Sequence, residues 1–215
     1  MLVASLSDTS FDKKFQIQMF AEFIYRPTSG QYPEKHFGEI SPNCLWVKFT
    51  DEDYIDWVGS FLQGWDGYGT FIINLDKQGK VFVVAGGQSF LIDISTRLLL
   101  NKQEISDTKS AILNDDQTTI YFSGGYDLQF LDLDGNVSVL FDHYYFDDIK
   151  LIEIKDNKLY AKYWHYQSDT EPFNFEINLQ TKEVKDSYYV KDKQKYKTEN
   201  PNPSLLDRIT KWIKH

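Results

Sequence analysis

Val81-Phe-Val-Val-Ala-Gly-Gly87, followed at once by Phe90-Leu-Ile-Asp-Ile94, is the stretch that decides the fold. A short apolar run closed by two glycines and answered by a second apolar run reads as a hairpin of buried strands. Glycine reaches the positive φ that a tight turn demands at no steric cost. Thirty-eight residues later the same statement recurs: Thr119-Ile-Tyr-Phe-Ser-Gly-Gly125, then Gln129-Phe-Leu-Asp-Leu133. It returns as Asn157-Lys-Leu-Tyr-Ala161 with Phe175-Glu-Ile-Asn-Leu179. A period near 40 built from strands alone is the mark of propeller-like blades. Three or four such units are too few for a usual closed ring, so a partial propeller or stacked antiparallel sheets is expected. A plain β-meander with similar hairpins is the rival.

Further strand patterns surround these hairpins. They run over 45–49, 55–62, 70–75, 97–100, 137–141 and 149–154, with Asp76-Lys-Gln-Gly79, Asn114-Asp-Asp116, Asp134-Gly135 and Asp156-Asn157 as turns. Upstream, Phe15, Ile17, Met19, Ala21, Phe23 and Tyr25 alternate with mostly polar residues, which predicts a strand with one buried face. A helix is the competitor there, because Phe11, Phe15, Met19 and Phe23 also stand four apart. The chain therefore reads as one β-repeat domain over 1–185. A linker or arm without periodicity follows over 186–203, and then a short helix over 204–215. In that helix Leu205, Leu206, Ile209, Trp212 and Ile213 share a face behind a capping pattern at Ser204. A helix so short needs its apolar face docked, on its own sheet or on a partner.

The 215 residues are 41% hydrophobic and 16% aromatic, which excludes a disordered chain. No apolar run approaches the ~20 residues that cross a bilayer, and the N-terminus lacks a basic leader, so a cytoplasmic, membrane-free protein is expected. One cysteine, Cys44, excludes an internal disulfide framework and a multi-thiolate zinc site. The net charge of −9 is concentrated: residues 45–148 carry 6 Lys/Arg against 17 Asp/Glu, net −11, while 149–215 are net +3. A negative middle repels phosphate and so disfavours nucleic acid. It attracts a basic protein or cations, or serves solubility alone.

Catalytic signatures are missing. The chain has no Gly-x-Ser-x-Gly elbow and no phosphate-cradling Gly-x-x-x-x-Gly-Lys loop. No two of His36, His143, His165 and His215 stand at i,i+3 or i,i+4, so no local zinc pair exists. Neither a metal nor a cofactor is expected, and no catalytic residue is assigned. With 32 carboxylates and many aromatic rings, a carbohydrate-binding or carbohydrate-cleaving protein stays open as an alternative. A self-associating structural module is another.

The sharpest candidates are aromatic segments edged by acid. His143-Tyr144-Tyr145 lies between Asp142 and Asp147-Asp148, and Trp164 and Tyr166 follow about twenty residues on. Consecutive side chains on a strand point to opposite faces, so these rings cannot all be core. Trp57, Trp65, Asp66 and Tyr68 make a second candidate patch. Exposed Tyr and Trp ringed by carboxylates suit a protein interface, where rings anchor and charge steers. The rival is that stacked blades hide both faces.

At Trp57-Val-Gly-Ser-Phe61, Val81-Phe-Val-Val-Ala-Gly-Gly-Gln88 and Phe90-Leu-Ile-Asp93 the chain resembles small bacterial proteins with propeller-like β repeats, some of which look like toxin-immunity proteins. The resemblance covers roughly residues 45–180 and carries no active-site residues across. It implies a non-enzymatic binding module whose partner is a basic protein, in its most concrete form a secreted toxin domain.

Overall fold

The computed structural model describes residues 20–39, 41–142, 146–165 and 171–188, with only the backbone of Asp142. Among the described residues sixteen strands fall into four sheets of four. The first sheet holds β1 (Phe20–Ile24), β2 (Glu34–Phe37), β3 (Cys44–Thr50) and β4 (Asp56–Leu62). The second holds β5 (Phe71–Leu75), β6 (Lys80–Ala85), β7 (Gln88–Asp93) and β8 (Leu98–Leu99). The third holds β9 (Ser110–Leu113), β10 (Thr119–Ser123), β11 (Asp127–Asp132) and β12 (Val137–Asp142). The fourth holds β13 (Phe146–Lys155), β14 (Lys158–His165), β15 (Phe173–Asn178) and β16 (Val184–Asp186). The fold is thus all-β, made of propeller-like repeated sheets. Lys80, Thr119 and Lys158 each open the second strand of their sheet, 39 residues apart both times. The short C-terminal helix expected over 204–215 lies outside the described residues.

The last three sheets are antiparallel meanders in chain order. The first departs from that plan. Its spatial order is β1-β3-β4-β2, and β2 runs parallel to β4. To travel from one edge of the sheet to the other, residues 25–33 cross its outer side. Pro33 O accepts a bond from Val58 N at 2.9 Å, and the Arg26 guanidinium sits 5.9 Å from the Trp46 ring centroid. This crossover covers the outer face of the first sheet.

Packing joins each sheet to the next. Phe37, Val47, Phe49, Trp57 and Phe61 of the first sheet close on Val81, Val83, Phe90 and Ile92 of the second. Phe82, Val84 and Leu91, on the other face of the second sheet, close on Ile120, Phe122 and Leu131. The third sheet then meets Phe146, Ile149, Leu159, Tyr163, Phe175 and Ile177 of the fourth. Strands such as Val81-Phe-Val-Val84 are apolar throughout because both of their faces are buried.

Three strands have no clear signal in the sequence. Glu34-Lys-His-Phe37 is a polar edge, Ser110-Ala-Ile-Leu113 lacks alternation, and Val184-Lys-Asp186 is three residues long. The last of these corrects the reading of Asp186 as the start of an arm: it closes the fourth sheet. At the other end, β1 confirms the strand over Phe20–Ile24 but not its burial pattern. Ala21 is buried whereas Phe23 and Tyr25 are exposed, and residues 15–19 lie outside the described part.

Candidate functional site

A cleft of about 780 Å3 opens at one end of the second, third and fourth sheets. Its wall is built from loops and strand ends: Tyr68 before β5, residues 103–107 and Lys109 between β8 and β9, the Gly124–Asp127 turn between β10 and β11, and Asp147 at the start of β13. Among the described residues four carboxylates line it, Glu104, Asp107, Asp127 and Asp147, against one cation, Lys109.

The loop carrying Tyr68 is fixed by a close backbone approach. Gly64 N donates to Ala85 O at 3.0 Å and Trp65 N to Gly86 O at 2.9 Å. A Cβ on Gly64 would lie 2.2 Å from Gly86 O, so no larger residue fits without movement. Thr108, fully buried, ties the next loop to the same place. Its carbonyl accepts from Gly69 N at 2.9 Å, its N–H donates to Gly87 O at 3.1 Å, and its hydroxyl meets Ser89 Oγ at 2.9 Å. Backbone groups of three connections thus satisfy one another, which holds the rim in a single arrangement.

Lys109 stands at the centre of the charged wall. Its ammonium is 2.9 Å from Asp148 Oδ1, 3.9 Å from Asp147 Oδ1 and 5.8 Å from the centroid of the Tyr68 ring. It neutralises part of the pair on β13 and leaves Glu104, Asp107 and Asp127 facing the opening. Asp127 accepts a bond from the Gln129 side chain at 2.6 Å, which orients its carboxylate without adding positive charge. The resulting cleft favours cations near its mouth.

The expected site residues divide. Tyr68 and Asp147 line the cleft, and Asp148 joins them through Lys109. Trp65, 79% exposed, and Asp66, also exposed, project from the same loop as Tyr68. Trp164 sits directly across β13 from Asp147 in the register, 37% exposed. Asp142 ends β12 opposite Asp127. His143, Tyr144, Tyr145 and Tyr166 lie outside the described residues. Trp57 is the correction: it is fully buried, stacked on Phe49 at 4.1 Å, and cannot reach a partner. Its strand is sandwiched between the crossover and the second sheet, so the ring fills the core.

Glu104, Asp107, Lys109, Tyr126 and Asp127 belong to the cleft and were not singled out from the sequence. Their signal is weak, a polar aperiodic loop at 101–109 and a Gly-Gly-Tyr-Asp turn. Only the meeting of three sheet ends gives it meaning.

A second, smaller pocket of about 240 Å3 lies under the 25–33 crossover, lined by Arg26, Glu34, His36, Cys44, Trp46 and Ser60 among others. His36 Nδ1 and the buried Ser60 hydroxyl are hydrogen-bonded there, and Cys44 Sγ donates to Ser41 O at 3.0 Å. His165 is buried and stacked on Tyr188 at 4.1 Å. Among the described residues no helix is long and apolar enough to cross a membrane.

No family model and no curated protein matches the chain. Among solved structures it is similar to the N-terminal domain of Nup159 at 14% identity and a TM-score of 0.39, over 58% of this chain and 34% of that one. It is also similar to the extracellular domain of BT4673 from B. thetaiotaomicron, at 12% identity and a TM-score of 0.41, over 71% of this chain. The chain spans 34% of the first of these proteins and 23% of the second.

Proposed function

We propose that the chain is a non-enzymatic binding module whose acidic cleft receives a basic protein. In its most concrete form it is a bacterial immunity protein that occludes the cationic groove of a toxin domain. The observation that carries the reading is the asymmetry of the cleft among the described residues: Glu104, Asp107, Asp127 and Asp147 against Lys109, with Trp65, 79% exposed, on the loop that also carries Tyr68. Negative charge at the mouth raises the encounter rate with a cationic partner, and an exposed indole on a braced loop supplies the apolar anchor. Binding of this kind weakens steeply as salt rises.

The test is co-purification of the chain with the product of the neighbouring gene, together with protection of cells that express that product. A complex that dissociates at high salt, with protection on co-expression, supports the reading. Absence of both a complex and protection with any secreted toxin domain sinks it.

A further inference from the structure

The pocket beneath the crossover of the first sheet has a floor set by strand register. Trp46 on β3, Ser60 on β4 and His36 on β2 are direct neighbours across three adjacent strands. Alternation sends their side chains to one face, while the next residue on each strand, Val47, Phe61 and Phe37, fills the core on the other. The His36 ring meets the Trp46 ring edge-on, centroids 6.4 Å apart, and its Nδ1 is hydrogen-bonded to the Ser60 hydroxyl. Glu34, two residues before His36 on β2, falls on the same side. The roof is the crossover, where the Arg26 guanidinium stands 5.9 Å from the centroid of the Trp46 ring.

Two charges of opposite sign thus border one cavity of about 240 Å3. Among the described residues neither Arg26 nor Glu34 forms an ion pair or a hydrogen bond, with each other or with any other group. Elsewhere on this sheet charges are paired: Lys48 lies 2.8 Å from Glu22 and 3.9 Å from Asp56. The Ser60 hydroxyl, 2% exposed at the floor, spends one bond on His36 and keeps the capacity for another. The Cys44 thiol is already committed to Ser41 O.

We propose that this cavity binds a small zwitterion, a free α-amino acid, with its carboxylate on Arg26, its ammonium on Glu34 and its side chain beside the Trp46 ring. Charge selects the class. A simple anion meets the Glu34 carboxylate and a simple cation meets the Arg26 guanidinium, whereas a molecule bearing both charges satisfies both groups at once. Guanidinium and carboxylate can also pair through two parallel bonds, which fixes orientation. Size narrows the choice, because the cavity lies below the ~300–1,000 Å3 of pockets that hold drug-sized molecules. Among the described residues it shares no lining residue with the acidic cleft, so the proposal stands apart from the binding of a basic partner. Bound ligand ties the crossover to the sheet and raises the melting temperature by mass action.

The test uses the full chain and a panel of the standard free L-amino acids. Thermal shift screens the panel, and calorimetry titrates each one that raises the melting temperature. At least one is expected to bind. Its amide, which lacks the carboxylate, and its N-acetyl form, which lacks the ammonium, are each expected to bind about tenfold more weakly. Arg26→Gln is expected to lose the preference for the acid over the amide, and Glu34→Gln the preference for the free amine over the N-acetyl form. Binding by no member of the panel, equal binding of the amide and N-acetyl forms, or a preference that survives its substitution overturns the proposal. The comparison of analogues needs no variant, so it decides the matter even where a substitution disturbs the fold.

Discussion

Tyr163 Oη donates a hydrogen bond to Asp186 Oδ2 at 2.7 Å, across 23 residues and inside the fourth sheet. Both residues are buried, and Asp186 Oδ1 in turn accepts from Tyr188 N at 2.8 Å. The contact binds β14 to β16 over the intervening β15. Tyr163→Phe keeps the ring stacked on Phe146 at 3.8 Å but removes the hydroxyl that donates to the buried Asp186 carboxylate. The expected loss is about 1–3 kcal/mol, read as a lower urea midpoint with the slope unchanged.

Trp57 and Trp65 are expected to separate stability from binding. Trp57→Ala empties a core position and is expected to cost about 3–5 kcal/mol. Trp65→Ala removes a side chain that is 79% exposed and is expected to stay within about 0.5 kcal/mol of the parent. Chemical denaturation checks both. On the proposed function, Trp65→Ala weakens partner binding at least tenfold while its melting curve is unmoved.

Gly64 and Gly67 share one loop but not one environment. A Cβ on Gly64 collides with Gly86 O, whereas a Cβ on Gly67 meets nothing within 4 Å. Gly64→Ala is expected to destabilise by about 1–3 kcal/mol and to shift the indole fluorescence of Trp65. Gly67→Ala is expected to change neither measurement.

Acid is expected to weaken the fold. The Lys158 ammonium, hydrogen-bonded to Glu176 at 3.0 Å, holds the Glu176 carboxyl below its usual range. At Asp132, partial burial pushes the other way but is outweighed by bonds from the Asn136 side chain and the N–H groups of Asn136 and Asp134, so its carboxyl also lies low. A carboxyl lowered in the folded state contributes stability that is complete above its unfolded pKa. That stability is lost as pH falls through the folded value. Melting temperature should therefore decline below the ordinary carboxylate range, about pH 4. Glu176→Gln should flatten part of that decline.

The cleft charge is open to direct measurement. Asp107→Asn/Asp127→Asn removes two of the four carboxylates at the mouth. It is expected to slow association with a basic partner and to reduce the salt dependence of the rate, with little change in stability. Lys109→Ala acts oppositely on charge but frees Asp147 and Asp148, so association should quicken. Stopped-flow kinetics at two ionic strengths distinguishes these outcomes.

The sequence made the repeat legible because buried strands leave a dense mark. Val81–Val84, Thr119–Phe122 and Leu159–Trp164 are apolar or alternating and end at glycine or Asp-Asn turns, and each lies within an observed strand. It hid β2 and β16, which sit at sheet edges and need few apolar residues. Trp57 was misread for a related reason: composition shows a large ring but not which of two faces is covered, and here both are. The cleft was half legible. Tyr68 and Asp147 belong to patches that stand out in the chain, while Asp107, Lys109 and Asp127 gain their role only from the convergence of three loops.

Each sheet is made from one unbroken stretch of chain: 20–62, 71–99, 110–142 and 146–186. Among the described residues no strand pairs outside its own stretch, and even the parallel β2 is synthesised before the β4 it joins. The polypeptide can therefore fold as it leaves the ribosome, one sheet completing before the next emerges. Each finished sheet offers a ready apolar surface to its successor.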